Sequence, residues 1–128
     1  MSRVAERWKV EAVLCLLRAV ELERFSIAGA ARVASKTWSY IERLGMTPRD
    51  VLSVIKGLEI EDYAAGPLED IKGRPHDLWV FGKYLEAIET YIKFAVFLSD
   101  DEAHVKCISF HGAERPLVHP YSGVSQHE

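Results

Sequence analysis

Three side chains that can move protons or bind anions stand close together near the end of the chain. The stretch ISFHGAERPL, residues 108–117, holds an imidazole, a carboxylate and a guanidinium within five positions: His111, Glu114 and Arg115. Tyr91 and Lys93 lie two residues apart in a segment of alternating polarity. In a β-strand that spacing puts both side chains on one face. If the two segments are neighbouring strands, these groups converge on one concave surface.

Such a set of groups suits cleavage of RNA without a metal. One group removes the 2′-hydroxyl proton, another protonates the leaving oxygen, and cations stabilise the charge on the phosphorane. Histidine suits the proton transfer because it titrates near neutrality, and the planar fork of arginine matches two phosphate oxygens. Lys83, at the end of the preceding strand-like segment, adds a further cation. A plain solvent face with a polar strand end remains the alternative interpretation.

Several other kinds of site are not indicated by the sequence. It contains no phosphate-binding loop of the Walker or dinucleotide type and no nucleophile elbow. Cys15 and Cys107 lie far apart inside apolar segments, which favours buried, inert thiols. The five histidines do not have the spacing of a four-ligand zinc site. The sequence therefore predicts neither a metal nor a cofactor.

Length and composition indicate a single domain over residues 1–128. A chain of 128 residues is long enough for one hydrophobic core and too short for two ordinary ones. Its 48% hydrophobic and 27% charged residues are typical of a globular protein. There is no apolar run of membrane-spanning length and no signal-type segment after Met1. These features predict a cytoplasmic protein without a membrane partner, and they leave the oligomeric state open.

The net charge of −3 is unevenly distributed along the chain. Residues 1–56 carry ten Lys and Arg against six Asp and Glu, whereas residues 57–71 carry five acids and no base. An acidic total argues against a protein that grips long nucleic acid by neutralising its phosphates. Basic helices followed by an acidic connector are compatible with a protein-binding surface and equally with ordinary solvated faces.

Residues 1–57 form a predicted helical half. A first helix, to about Arg24, is indicated by apolar residues at three- and four-residue steps, namely Val4, Trp8, Ala12, Cys15, Leu16, Ala19 and Val20. Ser26 is placed to cap a short second helix that ends near Ala34.

Two further helices carry clear start and stop signals. Residues 36–44 form the third, and Gly45 after it can adopt the left-handed conformation that closes a helix. Thr47 as the N-cap and Pro48 at the first helical position begin the fourth. Gly57 ends it.

Residues 72–117 form a predicted sheet half, in which the apolar period changes to two. Residues 77–83 are apolar on both faces, as in a central strand, and residues 88–98 have one core face and one mixed face. Residues 103–111 form the returning strand, and the short connections favour antiparallel pairing. The predicted class is α+β, with N-terminal helices packed on a small antiparallel sheet. Residues 118–128 are predicted to be a loose tail.

Short motifs along the chain resemble those of the MqsR-type toxins of bacterial type II toxin–antitoxin systems. In order they are LGM (44–46), VIKGL (54–58), DY (62–63), HDLW (76–79), YIK (91–93) and SF (109–110). The chain is also similar to a related branch that ends in an SFH-x-AERPL motif. The resemblance covers roughly residues 36–121, and it implies a RelE-like fold. It further implies endoribonuclease activity on messenger RNA, held in check by a cognate antitoxin protein.

The residues of this family map onto the chain with two departures. The family tyrosine and lysine of the Y-x-K strand match Tyr91 and Lys93. The lysine that follows the family's S-F pair falls on His111. A further family lysine falls on Ala65, and the glutamine after the family tryptophan falls on Val80, so both of these polar groups are missing here.

The first hypothesis is therefore a toxin-like, metal-independent endoribonuclease. His111 is its acid–base candidate, and Tyr91 is a proton donor or base-stacking group. Lys83, Lys93 and Arg115 surround the phosphate. Glu114 orients His111 or Arg115.

Two other hypotheses stay open at this stage. The first is a non-catalytic interaction protein on the same scaffold, of the phage- or plasmid-borne kind that inhibits a host protein. The two missing polar groups and the acidic connector favour it, and Trp8 and Trp38 can anchor an interface. The second is a helix-turn-helix DNA reader over residues 26–57, for which basic residues are present.

Overall fold

The computed structural model describes residues 4–29 and 35–123. The chain has the predicted α+β class, with helices packed on a small sheet. Its elements in order are α1 (Arg7–Arg18), β1 (Phe25–Ile27), α2 (Lys36–Arg43), α3 (Pro48–Lys56), β2 (Tyr63–Leu68), β3 (Leu78–Leu85), β4 (Ile88–Ser99) and β5 (Glu102–Gly112), with short 3₁₀ turns at Leu22–Arg24 and Ile60–Asp62. Among the helices described, none is long and apolar enough to cross a membrane.

The sheet has five strands in the order β1-β5-β4-β3-β2. Strands β2 to β5 pair antiparallel, as predicted for the last three. Strand β1 pairs parallel to β5, so Ser26 lies in a strand and does not cap a helix. The remainder of that predicted helix, residues 30–34, lies outside the described residues. The acidic connector is also structured, because residues 63–68 form the edge strand β2.

Helix α1 packs on the sheet with a face other than the one predicted. Its buried side chains are Val10, Val13, Leu14 and Leu17. Trp8 is 63% exposed and Cys15 is exposed as well, so the predicted stripe through these two residues is wrong. The helix carries two competing apolar rows, and the row rich in Val and Leu removes more apolar surface from water than one rich in Ala.

The next two helices begin and end where their signals predict. The Ser35 hydroxyl accepts a hydrogen bond from the backbone nitrogen of Trp38 at the start of α2. Thr47 and Asp50 form a reciprocal capping box at the start of α3. Gly45, after α2, has a φ of +68°, a conformation that favours glycine.

The side chains of strand β4 alternate between the two faces of the sheet. Thr90, Ile92 and Phe94 are buried on the face that packs against the helices. Tyr91 and Lys93 point to the opposite face, called the outer face below. Strand β5 contains one extra residue between the pairs Lys93–Ser109 and Phe94–Cys107. This bulge lets both ends of β5 keep their polar side chains on the outer face.

The chain after β5 folds back over the outer face. The backbone nitrogen of Leu117 donates to Oε1 of Glu89 (3.0 Å), and the Tyr121 hydroxyl donates to the carbonyl of Ala5 (2.6 Å). The loose tail predicted from residue 118 is therefore wrong for residues 118–123, since these contacts tie them to the domain. Residues 124–128 lie outside the described part of the chain.

Candidate functional site

A cavity of about 550 Å³ opens on the outer face, between the sheet and the returning chain. Its lining comprises Lys36, Tyr91, Lys93, Ser109, His111, Glu114, Arg115, Pro116, Leu117 and Val118. Five of the six site residues predicted from the sequence are in this set. Their strands are neighbours, and the bulge in β5 preserves the alternation on which the convergence depends.

The floor of the cavity is made by two adjacent cross-strand pairs. Tyr91 lies opposite His111, and their ring centroids are 5.4 Å apart with planes inclined by 22°. Lys93 lies opposite Ser109. Side chains opposite each other in antiparallel strands are within contact distance, so an anion placed between these pairs meets the imidazole, the phenol and the ammonium together.

His111 is oriented by its own backbone environment. Its Nδ1 lies 3.0 Å from the carbonyl oxygen of Gly112. A carbonyl only accepts, so Nδ1 carries the proton in this contact, and in the neutral ring the lone pair is on Nε2. Nε2 is therefore the atom that can accept a proton from a substrate in the cavity.

Tyr91 favours the opposite role. Burial raises the pKa of its hydroxyl above the ordinary value of 10.0. The phenol consequently stays protonated at neutral pH and donates a hydrogen bond or a proton to an oxygen in the cavity. Its ring face remains available for stacking, as the contact with His111 shows.

Glu114 forms an ion pair with Lys36, a residue that the sequence did not single out. The hydrogen bond from Lys36 and its charge, assisted by the charges of His111 and Arg115, lower the pKa of this carboxyl. Glu114 is thus an ionised group on the cavity rim. It pairs with Lys36 and not, as was predicted, with His111 or Arg115. The charges of those two residues still help to lower its pKa.

Helix α2 brings Lys36 to the cavity through contacts that the sequence does not reveal. Strand β1 covers only residues 105–107 of β5, so the edge of β5 is open beyond it. There the Thr37 hydroxyl oxygen accepts from the backbone nitrogen of Phe110 (3.1 Å). The Tyr40 hydroxyl lies 2.6 Å from Oγ1 of Thr90 in the core. These bonds hold the first turn of α2 beside His111.

Lys83 does not belong to the site. It follows Gly82, which pairs with Tyr91, so alternation puts the Lys83 side chain on the other face of the sheet. Its Nζ lies 3.5 Å from Oδ2 of Asp62. The prediction placed Lys83 at the cavity because it lies at the end of a strand. The alternation of side chains along the strand instead decides which face of the sheet Lys83 occupies.

The two polar groups that the family resemblance implies are replaced by apolar side chains at adjacent positions. Ala65 pairs with Val80 across β2 and β3, and Val80 pairs with Lys93 across β3 and β4. Val80 is buried. The residues next to Lys93 across the sheet are therefore apolar on the side of β2. The polar groups of the cavity lie on the other side, toward β5 and α2.

The wall of the cavity is held by a histidine and a glutamate that the sequence analysis missed. Nε2 of His119 lies 2.8 Å from Oε2 of Glu89, and Nδ1 of His119 lies 3.1 Å from the carbonyl oxygen of Asp62. Burial raises the pKa of Glu89, but the bonds from His119 and Leu117 and the charge of His119 outweigh it, so the net pKa is lowered. Glu89 shares the face of Tyr91 two residues away, and extending the alternation by one step would have found it.

A second hollow, of about 750 Å³, lies between the turn Leu22–Arg24 and α3. Most of its charged groups have partners, since Nζ of Lys56 donates to the Val20 carbonyl (2.9 Å) and Arg24 pairs with Glu21 (3.0 Å) and Glu23 (3.8 Å). Its described lining contains no histidine or tyrosine. The smaller cavity on the outer face is therefore the better candidate for proton-transfer chemistry.

The remaining titratable groups include one cysteine in the core. Burial raises the pKa of Cys107 to about 12, so this thiol is inert, as predicted. Cys15 is exposed, which corrects the prediction that it is buried. Across residues 4–29 and 35–123, no three His, Cys, Asp or Glu side chains are grouped so that they could hold a metal ion.

Comparison with known proteins adds no relative to this description. No protein-family model matches the chain, and neither a curated protein nor a solved structure matches it significantly. The resemblance to MqsR-type toxins thus depends on the collinear short motifs alone.

Proposed function

We propose that this protein is a toxin-like, metal-independent endoribonuclease that cleaves messenger RNA in the cytoplasm, with a RelE-like fold. The observation that carries the proposal is the shared cavity of His111, Tyr91, Lys93 and Arg115. It combines a proton acceptor, a proton donor and two cations at a hollow large enough for a phosphodiester and a base. The motif order of MqsR-type toxins supports the same activity.

In the proposed reaction, Nε2 of His111 accepts the proton of a ribose 2′-hydroxyl. The 2′-oxygen attacks the adjacent phosphorus, and the bond from phosphorus to the 5′-oxygen breaks. The Tyr91 hydroxyl gives its proton to that 5′-oxygen, so the products are a 2′,3′-cyclic phosphate and a free 5′-hydroxyl. Lys93 and Arg115 stabilise the extra negative charge on the phosphorane. General acid and base catalysis each contribute about 10²- to 10⁴-fold.

Lys36 and Glu114 regulate the charge at the cavity rim in this proposal. Glu114 neutralises Lys36 in the free protein. An incoming phosphate competes with the carboxylate for this ammonium, which releases Lys36 as a third cation near His111. The pair sits on the exposed rim, so exchange of one anion for another costs little.

The proposed regulator is a cognate antitoxin protein. Active cleavage of cellular messenger RNA requires an inhibitor, and the family resemblance implies one. Such a protein would suppress cleavage if it inserted a peptide segment into the cavity. It would also do so if it held the returning chain after β5 in a distorted position. The exposed Trp8 on α1 offers a separate place for such a protein to bind.

The second candidate function is a non-catalytic interaction protein that binds a host protein. Trp8 favours it, because a tryptophan that is 63% exposed is a frequent anchor of protein interfaces. The apolar Ala65 and Val80 at the missing family positions favour it as well. Trp38 does not, since it is half-buried and its Nε1 donates to the Ala28 carbonyl (3.1 Å). The start of the DNA-reader segment is a strand, residues 25–27, and residues 30–34 of its first predicted helix lie outside the described residues.

Purified protein incubated with single-stranded RNA and a chelator distinguishes the two candidates. The endoribonuclease proposal expects cleavage that leaves 2′,3′-cyclic phosphate ends, which end-specific enzymatic labelling detects. His111→Ala should abolish the cleavage with unchanged thermal unfolding. Absence of cleavage by the wild-type protein, together with a stoichiometric protein partner whose binding Trp8→Ala removes, would establish the interaction protein instead.

A further inference from the structure

Three aromatic rings lie together at the far end of the outer face, away from the cavity. Phe97 on β4 and His104 on β5 are cross-strand partners, with ring centroids 5.4 Å apart and planes within 7° of each other. His76, from the loop before β3, lies over Phe97 at 4.0 Å with planes within 2°. The His76 side chain is exposed, and Phe97 and His104 are half-buried.

This group differs from an ordinary core contact in its geometry and in its place. Core aromatic pairs in this protein are mostly tilted, such as Tyr40 with Phe110 at 59°. The nearly parallel rings of Phe97 and His104 instead stand beside each other at the protein exterior, and the exposed His76 lies on a face of Phe97. Aromatic rings with accessible faces at the protein exterior are the feature on which unpaired bases stack.

Cations connect the ring group to the cavity. Lys106 lies two residues from His104 on the outer face of β5, and Lys93 lies four residues from Phe97 on the same face of β4. Neither lysine forms an ion pair within residues 4–29 and 35–123. The distance along β4 from Tyr91 to Phe97 is about 20 Å at the usual rise per residue. The face thus offers a track of rings and cations that begins at the cavity.

We propose that Phe97, His104 and His76 form a stacking subsite for an unpaired base of a single-stranded RNA whose scissile phosphate lies in the cavity. The base enters between His76 and Phe97 as the exposed His76 moves away from its 4.0 Å contact, and Lys93 and Lys106 bind the intervening phosphates. This inference deepens the proposed function and rests on it. It names the substrate class as single-stranded RNA that extends several nucleotides beyond the cleaved bond.

The charges around the rings fit a base better than a phosphate. Asp100 and Asp101 form the turn between β4 and β5, each three residues from one ring of the pair, and Asp77 follows His76. A phosphate at the rings would meet these carboxylates, whereas a neutral base does not. The other nearby acids have partners, since Glu102 pairs with Arg24 and Asp70 pairs with Arg74.

The test measures binding of fluorescein-labelled, fully 2′-O-methylated RNA, which cannot be cleaved through its 2′-oxygen. One probe has about ten nucleotides and the other about three, so that only the long probe reaches the rings. The double variant His76→Ala, His104→Ala should weaken the long probe roughly tenfold or more and leave the short probe unchanged. His76→Phe with His104→Phe keeps an aromatic ring at both positions and should restore the long-probe affinity.

The outcomes separate this inference from the proposed function. If the wild type cleaves RNA but the alanine double variant binds the long probe as tightly as the wild type, the stacking subsite is overturned and the nuclease stands. The same result with a lowered unfolding temperature would mean that the rings only fix the loop before β3. If the alanine double variant weakens only the long probe while the wild type cleaves no RNA, the subsite stands and the nuclease falls. Equal loss of both probes would also overturn the subsite.

Discussion

His119 and Glu89 form a partly buried ion pair across the outer face, with Nε2 and Oε2 2.8 Å apart. The other ring nitrogen of His119 faces the Asp62 carbonyl at 3.1 Å. Both nitrogens thus meet acceptors, and an imidazole donates from both only in its protonated form. One side chain of the returning chain therefore binds β4 and the turn Ile60–Asp62 together. The wall of the cavity depends on this connection.

We expect Glu89→Gln to lower the free energy of unfolding by about 1 to 3 kcal/mol at neutral pH, because a largely buried hydrogen bond to a charged group is lost. The folded-state pKa of Glu89 lies below the ordinary 4.5, so its contribution is present above that value and disappears as the pH falls through the folded pKa. The difference between wild type and variant should consequently shrink as the pH falls below 4.5 and through the lowered pKa of the folded state. Denaturant unfolding at several pH values measures it.

A double-mutant cycle with His119→Gln is the control for this pair. The two single changes and the double change should be non-additive, because each single change already breaks the same bond. Additive effects would show that the two residues act separately and that the ion pair does not hold the wall.

We expect His111→Ala to reduce kcat for RNA cleavage about 10²- to 10⁴-fold, the range of a lost general base. His111→Asn is the matched variant, since an amide keeps polar contacts but cannot take a proton near neutrality. Both variants should lose activity equally, and circular dichroism should show an intact fold. Activity of the Asn variant close to that of the wild type would assign His111 to phosphate binding alone.

Tyr91→Phe tests the proton donor and the stacking role separately. It keeps the ring that lies against His111 and removes only the hydroxyl. If Tyr91 protonates the leaving 5′-oxygen, kcat should fall while KM stays near the wild-type value. A substrate with an activated leaving group, such as a 3′-uridylyl p-nitrophenyl ester, should be cleaved almost as fast by the variant. An equal loss with both substrates would rule out the role of Tyr91 as acid.

Much of the fold follows from local signals, and the exceptions have physical reasons. The capping box at Thr47 and the left-handed Gly45 involve only neighbouring residues, so sequence alone located both helix ends. The pairing of β1 with β5 joins residues about 80 positions apart. The strand β1, Phe-Ser-Ile, is too short to show the alternation that would predict a strand. The prediction of the buried face of α1 was wrong because the helix carries two apolar rows. Only tertiary packing determines which of the two rows is buried.

The candidate site was predictable to the extent that strand alternation determines it. Parity alone put Tyr91 with Lys93 on one face, and the antiparallel return brought His111 opposite Tyr91. The same rule excludes Lys83, which the prediction placed by its position at the strand end. Lys36 reaches the site through the packing of α2 on the open edge of β5, and nothing in the local sequence signals a contact across 78 positions.

Lys36→Gln tests whether the rim pair supplies a third cation. Under the proposed function the ammonium moves from Glu114 to the phosphate, so its loss should raise KM several-fold with a smaller effect on kcat. Glu114→Gln should do the reverse, because it frees Lys36 for substrate and lowers KM. Steady-state kinetics at low ionic strength measures both, since the pair is exposed and screened by salt. A higher KM in the Glu114 variant would contradict the competition between carboxylate and phosphate.

Gly82→Ala tests the wall of the cavity by adding a methyl group beneath it, without a change of charge. A Cβ at this position would clash with Cδ1 of Leu117 and lie 3.1 Å from Cε1 of His119, so these two side chains of the returning chain must shift. We expect a loss of about 1 to 3 kcal/mol in the free energy of unfolding, as for other overpacked sites. RNA cleavage should fall with it, because Arg115 and Pro116 are carried on the same segment. Leu117→Ala in the same chain removes the clashing methyl groups and should restore part of both properties. If the double variant were no better than Gly82→Ala alone, the contact with Leu117 would not be what shapes the cavity.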